Sequence, residues 1–149
     1  MIKFEEIKSD DSVNDILKGT FNLELPISGG WGYSELEMVE ILNNSVPKEQ
    51  LQYMFGTARS TIEMSLTQPK ENRYAGINLK EISREEEILE GKTISKVKYE
   101  ISAILEDIYN EFISEYKENH GKDDFDIASH FKQRDEKSIK LEKIIYFKQ

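Results

Sequence analysis

The stretch YAGINLKEISREEEILEGKTISKVKYEI, residues 74–101, decides the fold. Its second half alternates apolar and charged residues, and this period of two is typical of a strand with one buried face. The apolar positions are Val97, Tyr99 and Ile101. Residues 90–92, Glu-Gly-Lys, interrupt the stretch with a turn signal. The pattern therefore predicts a β-hairpin.

The residues that follow the hairpin predict a helix over 103–119. Apolar residues recur there at spacings of one, three and four, which is typical of an amphipathic helix. They are Ile104, Leu105, Ile108, Tyr109, Phe112, Ile113 and Tyr116. Asn119, His120 and Gly121 supply the stop signal. The wide apolar stripe predicts that this helix is central to the core.

Other segments extend the pattern in both directions. Residues 2–7 and 138–147 predict a first and a last strand, and residues 9–19 predict a short helix that ends at a glycine. Residues 21–27 alternate apolar and polar side chains, so they predict a half-buried strand that ends near Pro26.

The middle of the chain predicts a longer helix over 43–66, preceded by asparagine, serine and Pro47. Gly56 inside this helix indicates a kink or a close contact. Residues 35–42 fit a strand or a helix, and we favour the helix. The element order predicts one α+β domain over residues 1–149, with a mixed or antiparallel sheet and helices packed on one face.

Composition restricts the partners. The 149 residues carry a net charge of −9. Residues 130–149 hold six basic and three acidic side chains, a charge of +3, so residues 1–129 carry −12. Such a charge repels phosphates and lipid headgroups and attracts a basic protein. We therefore expect a protein partner, no nucleic acid and no membrane. Acidity that serves only solubility is the alternative. The oligomeric state stays open.

The chain has no cysteine, which excludes disulfides, thiolate metal ligands and a cysteine nucleophile. No apolar run has the length of a signal peptide or of a membrane span. The expected location is cytoplasmic, and no cofactor signature is present.

The loop SGGWGYS, residues 28–34, is the most unusual stretch. Its candidate ligand- or partner-binding residues are Ser28, Gly29, Gly30, Trp31, Gly32 and Tyr33. Glycines permit positive φ and close approach, so the loop is a candidate anion nest beside an aromatic contact. The spacing matches no phosphate-binding loop or nucleophile elbow. The alternative is a tight turn whose Trp31 fills the core.

Both histidines lie in HGKDDFDIASH, residues 120–130. If residues 123–132 form a helical turn, Asp126 and His130 lie four residues apart on one face, a spacing that suits a metal ion. A capped connection before the last strand is the alternative.

Two functional hypotheses remain. The first is a non-catalytic acidic module that binds a basic protein partner, as an adaptor or as an inhibitor of the immunity-protein kind. The second is a small-ligand-binding protein or enzyme that uses loop 28–34, with a metal near Asp126 and His130. The triplet Glu85–Glu87 fits a solvated strand edge whose charge discourages aggregation.

Overall fold

A computed structural model describes residues 3–42 and 45–149 of the chain. The α-helices are α1 (Val13–Phe21), α2 (Lys48–Thr61), α3 (Glu106–Asn119) and α4 (Ile127–Lys137). The strands are β1 (Ile27–Gly29), β2 (Val39–Ile41), β3 (Tyr74–Leu89), β4 (Lys92–Leu105) and β5 (Ile139–Lys148). Short 3₁₀ turns occupy Glu35–Glu37 and Lys70–Asn72, and a π-helical turn, Ile62–Leu66, extends α2.

The described strands form one open mixed sheet in the order β1-β2-β5-β4-β3. The β2–β5 pair is parallel and the other three pairs are antiparallel. The long β3–β4 and β4–β5 pairings make up most of the sheet, and β3 lies at one edge. This arrangement confirms the predicted α+β class with a mixed sheet.

The predicted hairpin is confirmed, and its turn has a simple cause. Leu89 pairs with Lys92, so Glu90 and Gly91 alone form the connection. Their φ angles are 53° and 79°. Two consecutive positive φ angles are those of the type I′ turn, whose twist matches that of the flanking strands.

Helix α2 covers one face of this sheet and encloses the main core. A Cβ at Gly56 would lie 2.8 Å from Leu79 and 3.3 Å from Ile145. The predicted close contact at Gly56 is therefore confirmed, because only glycine lets the helix approach the sheet so closely. Phe55 and Val97, both 0% exposed, lie at the centre of the core.

Three predictions about the first 42 residues are corrected by the structure. Residues 3–7 form no strand, and Ile2 lies outside the described residues. Residues 35–42 are neither one helix nor one strand, since a 3₁₀ turn precedes β2. The predicted strand 21–27 is wrong for most of its length, because α1 runs to Phe21 and β1 begins at Ile27.

The alternating apolar side chains of residues 21–27 are nevertheless the ones that face the core. Phe21, Leu23 and Leu25 pack against the core, whereas Asn22 and Glu24 are exposed. Most of the segment has no neighbouring strand among the residues that the structure describes. An alternating apolar pattern thus indicates which side chains are buried. It does not show that the segment is a strand, because a strand also needs a neighbouring strand to hydrogen-bond with, and the local sequence does not specify one.

Helix α3 begins at Glu106, three residues later than predicted, and it is not central to the core. Ile104 and Leu105 of the apolar stripe belong to β4. Within α3, all of which is described, Phe112 is the only buried residue, and it lies outside the main core cluster. Helix α3 instead packs against α4 and against the end of the hairpin away from its turn, where Tyr109 contacts Gly76 near the start of β3. The sequence pattern did not predict helix α4. No described helix has the length and apolar character needed to cross a membrane.

Candidate functional site

The three glycines of loop 28–34 are required by packing. Gly29 and Gly32 have φ angles of 89° and 81°, which side chains rarely adopt. A Cβ at Gly29 would lie 2.6 Å from the carbonyl oxygen of Met38, and one at Gly30 would lie 2.6 Å from that of Glu37. A Cβ at Gly32 would lie 2.7 Å from Ile145. The loop thus lies directly against its neighbours.

Backbone hydrogen bonds fix the loop in this position. Gly30 N–H donates to the Met38 carbonyl at 3.1 Å, and Gly32 N–H donates to the Glu37 carbonyl at 2.7 Å. The Gly32 carbonyl accepts from Tyr146 N–H at 2.8 Å. Because the N–H groups of both glycines are used within the protein, the loop does not present the row of free donors that an anion nest needs.

Trp31 lies in the core. Its side chain is 7% exposed, and its ring centroid lies 5.9 Å from that of Phe55. Tyr33 is half-buried, whereas Ser28 is exposed. This placement is the one expected if Trp31 fills the core. Binding of a ligand or partner by Ser28, Gly29, Gly30, Trp31, Gly32 and Tyr33 stays a prediction.

A buried ionic network lies against this loop. Arg59 and Glu63, four residues apart across the end of α2, are each 1% exposed, and Arg59 Nε lies 3.6 Å from a Glu63 carboxylate oxygen. Arg59 donates to the Trp31 carbonyl at 3.1 Å, and its guanidinium lies 4.1 Å from the centre of the Tyr33 ring. Tyr33 Oη donates to Glu63 and accepts from Ile7 N–H at 2.9 Å.

Burial sets the electrostatics of this network. Loss of hydration lowers the pKa of Arg59, and the Glu63 carboxylate opposes that shift. Burial, and then the charge of Glu63, raise the pKa of Tyr33, so its hydroxyl stays protonated and donates. Each charged group has a partner, so the network fastens the loop and the N-terminal segment to α2. The sequence offers only a charged pair four residues apart, the sole charged residues between Phe55 and Met64, and this spacing does not by itself indicate burial.

The Asp126–His130 pair occupies the start of α4. Asp126 is the N-cap residue, and its carboxylate accepts from Ser129 N–H at 3.0 Å. His130 is 1% exposed, with its ring 5.6 Å from that of Phe112 and 5.7 Å from that of Tyr116. The described part of the chain contains no group of three or more potential metal-ligating side chains.

The His130 ring has a polar neighbour, but neither of its nitrogens forms a hydrogen bond with a described residue. Its Nδ1 lies 3.4 Å from a Glu115 carboxylate oxygen, without hydrogen-bond geometry. His120 is the C-cap residue of α3, and its ring lies 4.9 Å from that of Tyr116. The Asp126 side chain thus performs the capping role that was the alternative to metal binding, and metal binding by the pair stays a prediction.

A groove of about 290 Å³ lies along the β3–β4 hairpin, and we call it the acidic groove. Four carboxylates line it together with an aromatic ring, a lysine and an isoleucine. The lining residues are Glu35, Glu85, Glu86, Glu87, Ile94, Lys96 and Tyr146. Leu36, which follows Glu35 in the chain, is 99% exposed, so an apolar side chain lies in water next to one residue of the groove.

The carboxylates of the groove differ in their partners. Glu86 accepts from Lys48 Nζ at 2.7 Å and from Ser95 Oγ at 2.5 Å, and these bonds lower its pKa to about 2. The side chains of Glu35, Glu85 and Glu87 form no hydrogen bond or ion pair with the residues that the structure describes. Lys96 is the one cation among the lining residues, so the groove keeps an excess of negative charge.

No protein-family model, curated protein or solved structure matches the chain.

Proposed function

We propose that the protein is a non-catalytic acidic module that binds a basic protein partner through the acidic groove. The observation that carries this proposal is that the carboxylates of Glu35, Glu85 and Glu87 lie in one concave surface without a hydrogen bond or ion pair to the described residues. A partner that brings lysine or arginine into the groove gains charge-assisted hydrogen bonds. The exposed Leu36 beside the groove offers an apolar contact of the kind that binding surfaces use.

Charge distinguishes the proposed partner from other macromolecules. The net charge of −9 creates a field that repels nucleic-acid phosphates and speeds encounter with a basic protein. Tyr146 and Lys96 also line the groove, with Lys96 Nζ 5.7 Å from the centre of the Tyr146 ring. Because Lys96 already lies over this ring, an incoming lysine or arginine is expected to pair with the glutamates rather than with Tyr146.

The arrangement of buried polar groups supports binding rather than catalysis. Arg59, Glu63 and Tyr33 are partnered with one another and with the backbone, and they lie beneath packed side chains. The acidic groove holds carboxylates without a nearby histidine. We place the interaction in the cytoplasm, since a chain without cysteine is suited to a reducing compartment.

Capture from an extract of the native host tests the proposal. The full chain serves as bait beside a triple variant, Glu35→Gln, Glu85→Gln and Glu87→Gln, and the recovered proteins are identified by mass spectrometry. We expect basic proteins that the wild type retains and the triple variant loses. Retention should fall as salt is raised, because the contacts are ionic.

A matched control separates this groove from general acidity. Asp107→Asn, Glu111→Gln and Glu118→Gln remove the same charge from α3. Equal loss of partners by both triple variants would show that the net charge alone attracts them and would contradict the proposal. Capture that both variants leave intact would contradict it as well.

A further inference from the structure

The outer edge of β3 is open over residues 80–89. No described strand pairs with it, since β3 is the last strand of the sheet. Over these residues the side chains on both faces are exposed, except for the half-buried Arg84. The edge therefore presents a row of unpaired N–H and C=O groups over roughly 33 Å.

This edge lacks part of the usual protection against strand pairing. Ile88 and Leu89 are 79% and 56% exposed, and Ile82, at a bulge in the strand, is 41% exposed. Exposed apolar side chains on an edge strand favour the addition of another strand. The bulge at Ile82 protects only the start of the edge, so residues 83–89 form the accessible part.

The charges beside the open edge select the strand that fits. Glu85 and Glu87 lie two residues apart, so their side chains share one face of the sheet. Glu85 lies opposite Lys96 in β4, but Glu87 lies opposite Ile94. An added strand on the outer side would place its own side chains next to both glutamates, where lysine or arginine is favourable.

The same charges disfavour a second copy of this chain. Two β3 edges that pair with each other bring the glutamates of both copies onto adjoining strands. Like charges on neighbouring strands destabilise the pairing. Charge complementarity therefore points to a basic strand rather than to a homodimer.

We infer that the partner docks by adding an extended basic segment as a sixth strand along residues 83–89 of β3. This inference rests on the proposed function and specifies the form of the partner. The backbone of the added strand supplies the hydrogen bonds, and its lysines or arginines form ion pairs with Glu85 and Glu87. Its side chains on the other face cover Ile88.

Synthetic peptides test the inference on the full chain. One probe alternates lysine and threonine in ten residues, and a second has the same length and charge but combines five lysines with five prolines that occupy both odd and even positions. Successive N–H groups of a strand point to opposite edges, so the prolines of the second probe interrupt the ladder on either edge and only the first probe can add a complete strand. We expect the lysine–threonine peptide to bind at least about tenfold more tightly, from the additional hydrogen bonds.

Hydrogen exchange of the protein gives an independent readout. In a strand, successive N–H groups point to opposite edges, so only alternate amides of 83–89 gain a partner on binding. The lysine–threonine peptide should slow the exchange of those alternate amides. Glu85→Gln with Glu87→Gln should weaken binding about threefold to tenfold, whereas Glu111→Gln with Glu118→Gln, on exposed α3 positions, should leave it unchanged.

The outcomes separate the inference from the proposed function. Equal affinity for the two lysine peptides, with unaltered exchange in 83–89, would overturn strand addition and leave an acidic module that binds basic segments by charge. Binding of neither peptide would overturn the inference, and if capture also failed, the proposed function would fall with it. Dimers of the free chain that the lysine–threonine peptide does not dissociate would overturn the choice of a basic strand.

Discussion

Loop 28–34 and the hairpin segment 80–90 are opposites in sequence and in structure. The loop concentrates three glycines and the only tryptophan, and it is packed against β2, β5 and α2. The hairpin segment is a plain run of charged and aliphatic residues, and it extends into solvent at the sheet edge. The conspicuous stretch is thus part of the scaffold, and the plain one carries the accessible surface.

The difference teaches how glycine clusters should be interpreted. Glycine at 29, 30 and 32 is explained by contacts of 2.6 to 2.7 Å that any Cβ would make with neighbouring atoms. These contacts are internal, so the glycines need no ligand to account for them. Exposed carboxylates without a partner, such as Glu85 and Glu87, have no such internal explanation.

Substitution of Trp31 should produce the largest effect. Trp31→Ala should lower the free energy of unfolding by about 3–5 kcal/mol, because it empties a core site. Leu36→Ala, which truncates a side chain that is 99% exposed, should change it by less than about 0.5 kcal/mol. Urea denaturation of both variants measures the contrast. Equal losses would mean that the loop and its surroundings do not differ in burial.

Breaking the buried ion pair should have a comparable effect. Glu63→Gln leaves the Arg59 charge without its partner and should cost about 3–5 kcal/mol. Arg59→Met combined with Glu63→Gln should cost less than the sum of the single losses, by about 1 kcal/mol or more. A double-mutant cycle followed by urea denaturation measures this coupling. A loss below about 1 kcal/mol for Glu63→Gln would show that the carboxyl is not paired as an ion.

Much of the fold could be predicted from these residues, and the reasons are local. The hairpin has a two-residue turn and clear alternation, and α2 has an apolar stripe with Gly56 at its contact. The predictions failed where a neighbouring strand determines whether a segment becomes a strand. In residues 21–27 alternate side chains are buried, but most of the segment has no neighbouring strand among the described residues. Helix α4 was missed because only Ile127, Ala128 and Phe131 are apolar in it.

The candidate sites were less predictable than the fold. That Arg59 and Glu63 would face the core follows only from tertiary packing, since charged residues of a helix usually face solvent. The acidic groove brings Glu35 together with Glu85 and Glu87, which lie about fifty residues further along the chain. In the sequence the triplet Glu85–Glu87 fits a protective strand edge, and no local pattern places Glu35 beside it.

Acid should reveal a smaller effect within the hairpin. The pKa of Glu86 is lowered to about 2, so its ionised form stabilises the folded state. Glu86→Gln should cost up to about 1 kcal/mol at neutral pH, since this pair is partly exposed. The difference from wild type should persist above the unfolded value of about 4.3 and disappear as the pH falls from there to about 2.

Unfolding free energies of wild type and Glu86→Gln across this range measure the effect. Glu87→Gln is the control, because Glu87 has no side-chain partner among the described residues. A difference that stays constant down to about pH 2 would show that the Lys48 and Ser95 contacts do not depend on the charge of Glu86.

One titration tests most directly whether the hairpin, and not the loop, is the binding surface. The ¹⁵N-labelled chain is titrated with the peptide of alternating lysine and threonine, and amide chemical shifts are followed residue by residue. We expect the largest chemical-shift changes within residues 83–94 and small changes in 28–33. The largest changes within 28–33 would contradict it.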